Sequence, residues 1–166
     1  RRADVALEVM AGDPEIDAIE VEIEEECLKI LALHQPVAND LRFVTACLKI
    51  NNDLERIGDL AVNIAERSAS LERELPFPVP KELQPMTEKT AGMLRSALDA
   101  FVRADVRLAH HVLAEDNEVD HMNRIIIRGM VDHMKTASDQ VDDALLILSA
   151  SKNLERIADH ATNIAE

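Results

Sequence analysis

Apolar residues recur along this chain at steps of three and four, the period of an amphipathic helix rather than the alternation of a strand. Ile50, Leu54, Ile57, Ala61 and Ile64 form one such stripe, and Ile16, Ile19, Ile23, Cys27 and Ile30 form another. A third runs through Leu94, Leu98 and Phe101. Breaks fall at His34-Gln35-Pro36, through the prolines at 76, 78, 80 and 85, and at Thr136 to Ser138. Asp13-Pro14 reads as a helix start, with Asp13 as N-cap and Pro14 in the first helical position. The pattern predicts helices over about 3–11, 14–33, 37–70, 84–104, 106–134 and 139–166.

The chain repeats itself. DLERIGDLAVNIAE from Asp53 returns as NLERIADHATNIAE from Asn153, identical at ten of fourteen positions with an offset of 100. Upstream, Ala6, Val9, Asp13 and Asp17 return as Ala109, Val112, Asp116 and Asp120 with an offset of 103. Two copies of one helical module, in the same element order, account for both offsets. The division is module one over 1–70, a proline-rich linker over 71–83, and module two over 84–166. Module two has three helices. The counterpart of helix 84–104 is expected before Arg1, so module one is read as lacking its first helix.

Composition narrows the class. Of 166 residues, 47 % are hydrophobic but only three are aromatic, so Ala, Leu, Ile and Val must supply the packing. Four Gly and six Pro leave few breakers, which suits long helices. The formal net charge of −14 leaves no basic footprint for nucleic acid and disfavours an anionic membrane surface. It suits cations or a basic patch on a partner. No apolar run approaches the ~20 residues of a membrane span, and no signal peptide opens the chain, so the expected location is cytoplasmic. Cys27 and Cys47 read as small buried hydrophobes, and the methionines as core filler.

The acids carry the candidate chemistry. Glu55, Asp59, Asn63 and Glu66 stack on one strip of the 37–70 helix, and Glu155, Asp159, Asn163 and Glu166 repeat them. Leu41, Val44 and Leu48 extend the first strip as an apolar patch, suited to the other module or to a partner. Asp13, Asp17, Glu20 and Glu24 line the edge of the preceding stripe, with Asp116 and Asp120 in the second copy. Each module thus presents two acid-xxx-acid pairs on neighbouring helices. Like charges at i and i+4 repel, costing a helix roughly 0.2–0.5 kcal/mol per pair. Hard cations such as Mg, Mn or Fe would use such oxygen ligands. His110, His111, His121 and His160 lie beside these pairs but point about 100° away from their sequence neighbours, so they read as surface residues. Arg56 and Arg156 read as ion-pair partners of nearby acids rather than phosphate ligands. No GxSxG, P-loop or HExxH is present, and the expected class is non-enzymatic.

Asp13 to Asp17, QPVANDLR at Gln35 to Arg42, LERIGDLAVNIAE at Leu54 to Glu66 and LERIADHATNIAE at Leu154 to Glu166 together resemble the signature of the PhoU family of phosphate-signalling regulators. The resemblance implies an all-α fold of two three-helix bundles related by a pseudo-twofold axis. It implies polynuclear metal clusters of iron, or of zinc, manganese or magnesium. Carried over by position, the ligands would be Asp13, Asp17, Glu55 and Asp59 in one site and Asp116, Asp120, Glu155 and Asp159 in the other. It further implies a negative regulator of the phosphate-starvation response, set between a phosphate ABC transporter ATPase and a sensor histidine kinase and acting as a homodimer. Two other classes are a metal-dependent hydrolase of phosphate compounds and the cytoplasmic regulatory part of a phosphate transporter.

Overall fold

In a computed structural model, which describes residues 3–71 and 77–166, the chain forms five long helices and one 3-10 turn. They are α1 (Ala3–His34), α2 (Ala38–Ser70), α3 (Leu83–Arg103), α4 (Val106–Thr136) and α5 (Val141–Ala165), with the 3-10 turn Ser138–Gln140 ahead of α5. Pro76 and the rest of 72–76, within the expected linker, lie outside the described residues.

The expected break at Pro14 does not occur. Pro14 sits inside a continuous α1, so Asp13 is an interior helical residue rather than an N-cap. Proline there removes the N–H that would donate to the Met10 carbonyl, a local cost that packing along α2 outweighs. The other breaks fall where the sequence puts them. α1 stops at His34, and Gln35 and Ala38 adopt left-handed φ values of 44° and 50° around Pro36. Between α3 and α4 the reversal is tight. Ala104 caps α3 at φ 50°, and the Asp105 N–H donates to the Ala100 carbonyl at 2.9 Å. Asp105 then caps α4, its Oδ1 accepting from the N–H groups of Arg107 at 3.0 Å and Leu108 at 3.1 Å.

Among the described residues, α3, α4 and α5 pack on one another as a three-helix bundle, α5 also packs on α2, and α2 carries α1 on its other side. The bundle holds the tightest core. Met86, Met93, Ala97, Val112, Val119 and Ala158 are all sealed from solvent. Burial of each large apolar side chain there is worth roughly 1.5–3 kcal/mol. Met122, Met130 and Met134 pack on the same cluster, as core filler should. Ile57 and Leu60 of α2 join it, which makes one hydrophobic core continuous across both modules.

Module one departs from the stripe read in α1. Of Ile16, Ile19, Ile23, Cys27 and Ile30, only Cys27 is buried; the isoleucines stay 37–48 % exposed. The physical reason is that, among the described residues, α1 has one helix packed on it, α2, where its counterpart α4 has two. Cys47 is half-buried rather than buried. Of the apolar patch at the start of α2, Val44 is buried and Leu41 is exposed. The adjacent Phe43 stacks on Phe101 of α3, ring centroids 5.2 Å apart, so this end of α2 faces the other module.

A candidate metal centre in each module

Each module pairs two helices whose facing surfaces carry the repeated acids. In module two, Asp116 and Asp120 stand one turn apart on α4, and Glu155 and Asp159 one turn apart on α5. The helices bring these four together. The Asp116 carboxyl is pushed above its ordinary value, first by burial and then by the charges of Asp159, Asp120 and Glu155. Asp159 is raised too, by burial and then by Glu155, with Lys152 and His160 pulling the other way. Mutual repulsion of this kind marks carboxylates that share one small volume.

In module one, Asp13 is raised by loss of solvent and then by Asp17 and Asp59. Pro14 therefore does not turn Asp13 away from its partners. Glu55, half-buried on α2, is not among the charges that act on Asp13.

As placed, the side chains do not close on an ion: among the described residues no three His, Cys, Asp or Glu form a ready metal cage. In module two the outer acids turn to cations instead. Asp120 accepts from Arg124 Nη1 at 3.3 Å, and Glu155 meets Lys152 Nζ at 2.5 Å. The donor chemistry nonetheless fits a hard cation. Four carboxylates on two rigid helices offer oxygen alone, and they repel when nothing neutralises them.

The neighbouring residues divide. His160 Nδ1 pairs at 2.7 Å with Asp53 Oδ1 across the module interface, which orients the ring and leaves Nε2 as its other nitrogen. His110 and His121 are exposed, and His111 reaches Glu115 at 3.8 Å. Arg56 and Arg156, expected to pair with acids, make no ion pair among the described residues. Glu118 and His121 stand at a Glu-x-x-His spacing that di-iron bundles use, a feature the sequence reading missed. Here Glu118 pairs with Lys89 at 3.0 Å and both side chains are exposed, so the spacing holds no site.

Gly58 shows how the α1–α2 face is built. A Cβ at Gly58 would lie 3.3 Å from two Ile16 methyl carbons, so the missing side chain lets α1 approach α2 beside Asp59. The second copy has Ala158 there, fully buried.

The PhoU domain model matches residues 1–68 and 83–166. The chain belongs to the PhoU family. It is 40 % identical over 164 residues to a phosphate-specific transport system accessory protein PhoU homolog of Zymomonas mobilis, covering 98 % of this chain and 69 % of that protein. A homolog of the same name from Caulobacter vibrioides is 38 % identical over 167 residues, covering 100 % and 73 %. Among solved structures, PhoU from Pseudomonas aeruginosa superposes with a TM-score of 0.94 at 38 % identity, covering 99 % of this chain and 79 % of that one. The phosphate transport system regulatory protein PhoU from Streptococcus pneumoniae gives 0.90 at 28 % identity, covering 99 % and 77 %. The all-helical, two-repeat architecture expected of the family is the one observed. No helix among the described residues is long and apolar enough to cross a membrane.

Proposed function

We propose that this PhoU chain is a non-enzymatic, cytoplasmic regulatory adaptor that binds metal and restrains phosphate uptake and phosphate-starvation signalling. In this reading it acts between a phosphate ABC transporter ATPase and a sensor histidine kinase. Its relatives are named accessory proteins of phosphate-specific transport, which supports the transport side of the assignment. The observation that carries the metal side is the field on Asp116, where burial and three neighbouring carboxylates oppose ionisation. A divalent or trivalent cation would remove that repulsion. Asp116, Asp120, Glu155 and Asp159 would hold it in module two, and Asp13, Asp17, Glu55 and Asp59 in module one. Iron is the first choice, with zinc, manganese and magnesium suited to the same oxygen ligands.

Metal bound there would be structural, joining α4 to α5 and α1 to α2 and presenting a partly neutralised face to a partner. The acids line a surface strip rather than a closed pocket, an arrangement that suits docking better than turnover. In this reading the chain acts as a homodimer, and sedimentation should then show twice the chain mass.

Elemental analysis of protein purified without chelators tests the site. Metal should co-purify with the wild type and be lost from the Glu55/Asp59/Glu155/Asp159→Ala variant; equal content in both removes the assignment. For the adaptor role, the metal-loaded chain should retain the transporter ATPase and the kinase from detergent-solubilised membranes. Failure to retain either one counts against it.

A further inference from the structure

The two clusters share their acids but not their cations. In module two, Lys152 sits one turn before Glu155 on α5 and Arg124 one turn after Asp120 on α4, at 2.5 Å and 3.3 Å from their carboxylates. The Glu155 side chain is 14 % exposed and that of Lys152 54 %, so the ammonium covers its partner from the solvent side. The offsets of 100 and 103 put Asn52 where Lys152 stands and Val21 where Arg124 stands. Neither can carry a positive charge. Among the described residues, no Lys, Arg or His pairs with Asp13, Asp17, Glu55 or Asp59. Both sets hold four acids, so the second is two charges less negative once its paired cations are included.

We propose that Lys152 and Arg124 are built-in counter-ions that compete with a bound cation, so that the module-one cluster takes up a hard divalent ion before the module-two cluster does. The proposal rests on the reading that both clusters bind metal. An ion entering module two must displace an ammonium from Glu155 and a guanidinium from Asp120, and both charges then stay nearby and repel it. In module one no cation among the described residues has to be displaced. Two unit charges about 10 Å from a divalent ion in a well-solvated, salt-screened site change its affinity by about tenfold. Lys152 and Arg124 would therefore make the protein respond to metal over two concentration ranges.

Chelator-stripped protein is titrated with Mn²⁺, and free Mn²⁺ is followed by electron paramagnetic resonance. Asp116→Asn with Asp159→Asn leaves the module-one cluster intact, and Asp13→Asn with Asp59→Asn leaves the module-two cluster intact. The first variant should bind Mn²⁺ about tenfold more tightly than the second. Adding Lys152→Asn and Arg124→Val to the second should close the gap, with the helical circular dichroism unchanged. Equal affinities, the reverse order, or a gap that survives loss of both cations overturns the counter-ion role and leaves the metal reading standing. Absence of Mn²⁺ binding in every variant overturns the metal reading as well.

Discussion

At the scale of single residues, charge and volume set the behaviour of the site. Asp116 ionises against burial and three like charges, so its folded-state pKa lies above the ordinary 3.8. For a carboxyl raised in this way, the ionised form is the one the fold disfavours. The penalty is fully present at neutral pH and disappears as pH falls through the raised value and below 3.8. In chelator-stripped protein Asp116→Asn should therefore unfold at higher urea than wild type at pH 7, with the difference vanishing near pH 3; a constant difference would mean repulsion is not the cause. Gly58 tests volume. Gly58→Ala trades a helix-propensity gain of up to ~1 kcal/mol against a contact that Ile16 must relieve, and should come out near neutral. Gly58→Val has no room and should cost about 1–3 kcal/mol in chemical denaturation.

The helical hairpin of α1 and α2 is the natural element on which to test register. Ile16 faces Gly58, its Cβ 4.0 Å from where a Cβ at Gly58 would stand, and Asn51 Nδ2 donates to the Glu20 carbonyl at 2.8 Å. Eleven residues from that first pair, three helical turns toward the loop, α1 reaches Cys27 and α2 reaches Cys47. The two thiols thus repeat the Ile16–Gly58 facing position, where a Cβ separation of about 3.5–4.5 Å suits a disulfide. An oxidant such as diamide, which accepts the two thiol hydrogens, should join Cys27 to Cys47 within one chain. Burial, then the nearby Cys27, raises the Cys47 thiol, so the reaction should run faster at pH 9 than at pH 7. Mass spectrometry showing only chain-to-chain disulfides would mean the hairpin axes diverge. The same element carries Pro14 inside a continuous helix. Local preference puts proline at a helix start, but thirty-odd residues packed along a partner helix hold it in the middle.

Across the whole molecule, α2 and α5 form the seam between the two copies, and the seam is not symmetric. His160 pairs with Asp53, while the reciprocal positions hold Leu60 and Asn153, which cannot form an ion pair. A half-buried, charge-assisted pair of this kind contributes on the order of 1–3 kcal/mol. A double-mutant cycle on Asp53→Asn and His160→Leu should show coupling of about 1 kcal/mol or more; additive effects would assign the seam to apolar packing alone. The seam also places Phe43 against Phe101, which a reading of module one by itself could only describe as an apolar patch.

The element types, the duplicated motif and the eight candidate acids were all legible in the chain, because helical period, proline breaks and spacing are local properties. The isoleucines of α1 were not, because a stripe is buried only where another helix lies on it, and that depends on the neighbours present. Lys152 and Arg124 stand one turn from their acids on the same helix, so those pairs are local; that both fall on one four-acid cluster is decided by α4 lying against α5. Sequence thus determined which residues could act; the packing of one helix on the next decided which of them face one another, and with what charge between them.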